Sequence, residues 1–310
     1  MHKMLFTMMS LAATVAPAFA AEWMTDMDAA KQKAAAENKA VLVDFTGSDW
    51  CGYCIQLKKN VFDKPDFDAY AQDKFVLLEV DVPHNPKFDK EQLKKNRELC
   101  EQFNVSGYPT ILVLTPQGDV AGGFVGGRPG LDAVKQALDP ALANAKALEA
   151  ASKLTGEEQV KALAACYKAL PNDLKESAKA LRDRIIAMDP KDVSGLQVEV
   201  KVEQQLDEFG KKLESVGDDP KAALAMMESM LAEALPPNKP MLLNSIFNLQ
   251  MMTAESVEDL EKAKKTLDEA AALLPEEKEN IEQRKAELFA DPAALLEQLK
   301  ARREMMKSAQ

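Results

Sequence analysis

The sequence predicts an α/β domain, a central mixed sheet flanked by helices, followed by an all-helical domain. Three observations predict it. Short apolar, β-rich runs alternate with helical stretches over residues 21–139, the pattern of strands covered by helices. From residue 140 onward β-signals nearly vanish, and Ala, Leu, Glu and Lys dominate. At 310 residues the chain also has room for two ordinary domains.

Residues 1–20 read as a secretory signal. Lys3 supplies the positive start, residues 5–16 the apolar stretch, and Ala18-Phe19-Ala20 the small-x-small pattern, so cleavage is expected after Ala20. The apolar stretch is short for a bilayer and Pro17 interrupts it, so export to the periplasm or beyond is expected, without stable membrane insertion after cleavage. Residues 23–38 have helical composition, and residues 41–45, Val-Leu-Val-Asp-Phe, suit a buried strand. After Cys54, Ile55, Leu57 and Val61 continue a helix that Pro65 is expected to end or kink. Residues 75–81 form a second buried strand, residues 83–86 a loop, and residues 90–103 a charged amphipathic helix. A third strand runs over residues 108–114 and begins at Pro109. Pro116-Gln117-Gly118-Asp119 is a hairpin turn into residues 120–125, and a helix over residues 131–138 closes the domain.

The helical half carries apolar residues at helical spacing, such as Val160, Leu163, Tyr167 and Leu170, then Leu260, Ala263, Leu267 and Ala270. Pro171, Pro190, Pro220, Pro236, Pro275 and Pro292 punctuate it. The rhythm resembles tetratricopeptide-type helical hairpins, although the spacing is irregular and no full signature is present. Residues 196–202 alternate like a strand, yet a helix is expected there. The tail from Arg302 is expected to fray. Met226, Met227, Met230, Met241, Met251 and Met252 suit gap-filling in a helical core; an adaptable binding surface is the competing reading.

A formal net charge of −11 excludes nucleic acid as partner, because no dense Lys/Arg cluster would gain from counterion release. The chain has four cysteines, and outside the cytosol disulfides persist, so a cysteine pair reads as structural or catalytic. Loss of the signal would remove His2 and leave His84 as the only histidine, which argues against zinc sites and Cys-His hydrolases.

Trp50-Cys51-Gly52-Tyr53-Cys54 carries the chemistry. A strand that delivers two cysteines to a helix N-terminus makes a dithiol that can cycle with a disulfide, and the helix end favours a thiolate on the first sulfur. An inert disulfide and half of a metal site are the competing readings, and an accessible, ionised Cys51 is the expectation that separates them. Cys100 and Cys166 read as inert core thiols, with a bridge between them as the alternative.

Together with the strand at residues 41–45, the Gly107-x-Pro109-Thr110 segment and Gly118 through Gly126, this motif resembles the thioredoxin superfamily over residues 22–139. It looks most like exported bacterial thioredoxin-like proteins with a helical extension. The resemblance implies a thiol–disulfide oxidoreductase in which Cys51 attacks a protein disulfide and Cys54 resolves the mixed disulfide, with no bound cofactor. It implies that Asp44 takes the resolving thiol's proton and that Pro109 follows a cis bond, Tyr108 offering its backbone to substrate. Trp50 would shield the disulfide, Tyr53 would contact substrate, and Gly126 would let substrate backbone approach closely. A redox partner protein would supply or accept electrons. Three departures stand out: the loop from Thr46 to Asp49 is one residue longer, making Asp49 a candidate substitute for Asp44; Leu77 replaces a frequent lysine; and residues 83–96 are extended. The Gly-Tyr pair equals that of bacterial periplasmic disulfide isomerases and leans toward isomerase or mild reductase. The alternative is a weakly active scaffold whose helical domain holds a partner.

Overall fold

The computed structural model describes residues 22–84 and 90–308. The expected signal, residues 1–20, lies outside the described residues. The chain divides into two compact units, one reaching Leu196 and one beginning at Gln197.

In the first unit, β1 (Trp23–Met24), β2 (Ala40–Thr46), β3 (Phe75–Asp81), β4 (Thr110–Leu114) and β5 (Val120–Val125) form one sheet in the order β1-β3-β2-β4-β5. β1, β3 and β2 run parallel; β4 and β5 are antiparallel to their neighbours. Trp23 and Met24, expected to begin a helix, instead pair with Leu77 and Leu78. α1 (Met27–Glu37) starts only after Asp26, whose carboxylate accepts from Ala29 N at 2.8 Å, and Asn38 ends it in the left-handed region. β2 is buried along its whole length because it lies mid-sheet with both faces covered. The hairpin turn is as expected: Gly118, at φ +97°, lets Thr115 and Asp119 close the β4–β5 connection.

α2 (Gly52–Leu57) passes into a π-helical turn over Lys58–Phe62, and α3 (Pro65–Ala71) follows. The helix begun at Gly52 thus ends before Pro65, as expected, and Pro65 itself opens the next one, at a position whose N–H needs no intrahelical acceptor. α4 (Lys90–Gln102) lies against β3.

The expected boundary at residues 139–140 falls inside α5 (Leu131–Ala151), which runs through Pro140. Ala141, Ala145, Leu148 and Ala151 extend the buried face that Val134 and Leu138 begin, and this burial offsets the hydrogen bond the proline cannot make. α6 (Gly156–Lys168) and α7 (Lys179–Met188) add Val160, Leu163, Tyr167, Leu181 and Ile185 to the same core as the sheet. Tyr70 donates to Asp139 at 2.7 Å, and Asn144 donates to the carbonyls of Ala121 and Cys166 at 2.8 and 3.1 Å. The first helices after Pro140 thus belong to the sheet unit.

The second unit is helical: α8 (Leu196–Glu214), α9 (Pro220–Glu233), α10 (Lys239–Thr253), α11 (Val257–Leu273), α12 (Lys278–Leu288) and α13 (Pro292–Ser308). The alternating residues 196–202 are helical, as expected. Ser256 and Asp259 form a reciprocal capping box on α11. α13 continues past Arg302, where fraying was expected, because Arg303 donates to the carbonyls of Met252 and Ala254 at 3.2 and 2.6 Å. No helix among the described residues is long and apolar enough to cross a membrane.

Candidate active site

β2 ends at Thr46 and hands the chain to a tight loop that carries Trp50 and Cys51. A side chain on Gly47 would place its Cβ 2.3 Å from Trp50 Cε2, so the indole lies directly on that glycine. Trp50 Nε1 donates to Val82 O at 2.9 Å, its ring stacks on His84 at 4.8 Å, and Tyr108 meets it edge-on at 5.3 Å. The loop is anchored from below by Asp81, which is buried at the end of β3. Ser48 donates to it through its backbone N at 2.9 Å and its hydroxyl at 2.5 Å. Asn96 of α4 donates to the Asp81 carbonyl at 2.7 Å.

Cys51 caps α2. Its Sγ accepts the backbone N–H of Cys54 at 3.2 Å, and the two sulfurs are joined in a disulfide. An N–H aimed at this sulfur, at the positive end of a helix, favours a thiolate once the disulfide is reduced. The pair is set deeper than expected: Cys51 is 6 % and Cys54 3 % exposed. Exposure belongs to the rim, where Trp50, Tyr53 and Ile55 are 39 %, 66 % and 46 % exposed.

The Tyr108–Pro109 peptide is cis, and Gly126 donates its N–H to Pro109 O at 2.8 Å. Gly126 holds φ +82°, which favours glycine, and open space surrounds the site of a missing Cβ. Tyr53 lies close to the neighbouring Gly127, where an added Cβ would sit 3.2 Å from its ring.

Asp44 lies in the middle of β2, 4 % exposed, and its Oδ1 has no hydrogen-bond partner among the described residues. Burial first, then the negative charges of Glu79 and Asp81, push its carboxyl up to about 8, while Lys58 opposes them. Glu79 is its cross-strand neighbour on β3, and Lys58 reaches over from the turn after α2 to pair with Glu79 at 3.0 Å. A cavity of about 170 Å³ beside this pair is lined by Thr46, Ser48, Cys54, Ile55, Lys58 and Glu79. Asp49 does not stand in for Asp44: it is exposed, and its carboxylate accepts from His84 N at 2.9 Å. Leu77 is buried in β3 beside Leu42.

Cys100 and Cys166 are free thiols, so no bridge joins them. Burial pushes both thiols up, and Cys100 Sγ accepts from Tyr108 OH at 3.5 Å. Among the described residues no group of three or more His, Cys, Asp or Glu could hold a metal ion.

Residues 22–116 match the family model described as Thioredoxin-like. This is a thioredoxin-superfamily domain. The chain is 33% identical over 82 residues to the disulfide bond reductase DsbH of Chlamydia pneumoniae, covering 26% of this chain and 49% of that protein. To the thioredoxin-related protein DsbJ of the same organism it is 33% identical over 94 residues, covering 30% of this chain and 27% of that one. To the thiol:disulfide interchange protein DsbD 2 of Pseudomonas aeruginosa it is 33% identical over 94 residues, 30% of this chain and 14% of that one. The chain thus spans about half the length of DsbH and less of the other two. A solved structure named DsbH oxidoreductase aligns with 45% of this chain and 95% of its own, at 26% identity and a TM-score of 0.35. The relatives are thiol–disulfide oxidoreductases, and the Cys51–Cys54 disulfide in the thioredoxin-like domain supports a redox function.

Sequence reasoning missed Asp81, Lys58, Glu79 and Gly47. Strand position alone separates Asp81 from a surface acid, and the Lys58–Glu79 pair forms only when the helix turn is laid over β3. The spacing Gly47-x-x-Trp50 was the one legible hint.

Proposed function

We propose that the protein is an exported thiol–disulfide oxidoreductase acting on protein disulfides. The observation that carries this reading is the Cys51 sulfur, capping α2 and held by the Cys54 N–H, inside a rim of exposed aromatic residues. In reduction, the Cys51 thiolate attacks one sulfur of a substrate disulfide and expels the other as a thiolate. Cys54 then loses its proton to Asp44 and attacks Cys51 Sγ, which closes the Cys51–Cys54 disulfide and releases the second substrate thiolate. Two electrons pass from the protein to the substrate and return from a redox partner protein. Trp50, Tyr53, Tyr108, Pro109 and Gly126 form the surface on which an extended substrate segment lies, paired to the Tyr108 backbone. The Gly52-Tyr53 pair supports reduction or isomerisation over strong oxidation. The signal pattern of residues 1–20 supports export. The helical unit, with Met241 and Met252 exposed at 46 % and 48 %, selects or holds the partner.

Reduction of insulin disulfides by the full chain tests this. Cys51→Ala is expected to abolish turnover, and full retention would leave a binding protein with an idle disulfide. The potential of the Cys51–Cys54 couple gives the direction: near about −270 mV for a reductase, near about −120 mV for an oxidant.

A further inference from the structure

Asp44 is only 4 % exposed, and its Oδ1 is sealed and unpartnered, so its proton has a narrow way out to solvent. Cys54 lines one cavity together with Lys58 and Glu79, the two charged residues that act most strongly on Asp44. Glu79 sits across from Asp44 in register on the parallel neighbour strand, so the two side chains share a face of the sheet. Lys58 is 45 % exposed at its side chain and Glu79 25 %, so both members of the pair reach solvent.

We propose that Lys58 and Glu79 are positioning residues of opposite sign that set when Asp44 accepts the Cys54 proton, and that this proton leaves through the cavity they line. The inference rests on the dithiol reading above and names the residues that control its second step. In that step Cys54 S–H gives its proton to the Asp44 carboxylate; the Cys54 thiolate bonds to Cys51 Sγ and the Cys51–substrate bond breaks. The proton on Asp44 then passes to solvent entering the cavity, which is large enough for several water molecules.

The charges that face Asp44 come from two sides. β3 contributes Glu79 and Asp81, of which Asp81 is engaged by Ser48. The turn after α2 contributes Lys58, which feels Asp63 as well as Glu79. β4 places Ile111 opposite Asp44 and adds no charge. Lys58 favours the Asp44 carboxylate and Glu79 disfavours it, so neutralising one or the other must act in opposite directions.

The test uses the reduced full chain mixed with one equivalent of a symmetrical aromatic disulfide. Release of the first aromatic thiolate reports attack by Cys51, and release of the second reports closure by Cys54. The pH midpoint of the second release is expected to rise by about 1 unit in Lys58→Met and to fall by about 1 unit in Glu79→Gln. The double variant, with neither charge, is expected to return toward the wild-type midpoint, and Lys58→Arg to keep it. A pair that only braces the fold would shift both midpoints alike or leave them in place, and either result overturns the inference. If the wild-type protein releases no second thiolate, the dithiol reading itself fails and takes the inference with it.

Discussion

The two units are built on different principles. In the first, the sheet, α1, α3 and the helices through α7 pack into one continuous core, with Phe45, Phe67 and Phe124 almost wholly enclosed. In the second, many of the buried apolar residues fall into two small clusters, one around Phe247, Leu260 and Phe289, the other around Phe209, Met230 and Leu242. A site whose sulfurs must meet a substrate in one geometry needs a support that does not yield, and a close-packed sheet core supplies it. Helices joined by small clusters yield more easily, which suits a surface that adapts to partners.

The sharpest way to break this contrast is to cut equal holes in both units. Phe45→Ala should cost about 3–5 kcal/mol, because no neighbour in a continuous core can collapse into the space. Phe247→Ala should cost about 3 kcal/mol, at the low end of the same range. Hydrogen exchange of each unit's own core amides measures both, and equal losses would erase the distinction.

Asp44→Asn comes next, removing the proton acceptor from the rigid unit. Closure of the Cys51–Cys54 disulfide should slow by about 10²-fold, read from the second thiolate release. The same substitution should change the pH dependence of stability. The Asp44 carboxyl lies well above the ordinary aspartate value of 3.8, at about 8, so over that window the native state holds a proton that the unfolded chain has lost. Its contribution is therefore fully present below about 4 and is lost as pH rises through about 8. Chemical denaturation of the wild type should show stability falling across that window, and Asp44→Asn should remove the fall.

Asp81→Ala tests whether the loop carrying Trp50 depends on the strand below it. Ser48 would lose both its acceptors, at a cost of about 2 kcal/mol, and the Trp50 fluorescence should report a loosened indole. The smallest effect belongs to the helical unit: Ser256→Ala removes half of the α11 capping box and should cost about 1 kcal/mol, seen in the exchange of the first-turn amides. A larger loss there would mean that the helical unit is more cooperative than its divided core suggests.

Much of the candidate site was legible because its logic is local. Cys51 and Cys54 lie three residues apart on one helix turn, and Asp44 sits inside an apolar run whose length and β-branching mark a buried strand. Pro109 and Gly126 likewise belong to short motifs at a strand's start and end. The Lys58–Glu79 pair was not legible, since 21 residues separate its members and both look like ordinary surface charges.

The sequence by itself determined most of the elements, the redox pair and the helical character of everything after residue 139, because propensity, spacing and capping act within a few residues. Only the tertiary structure decided where the first unit ends, that Cys100 and Cys166 stay apart, and which charges surround Asp44. Those outcomes depend on which buried faces find each other. A proline at position 140 reads as a break in isolation, yet the shared core on both sides of it keeps α5 whole.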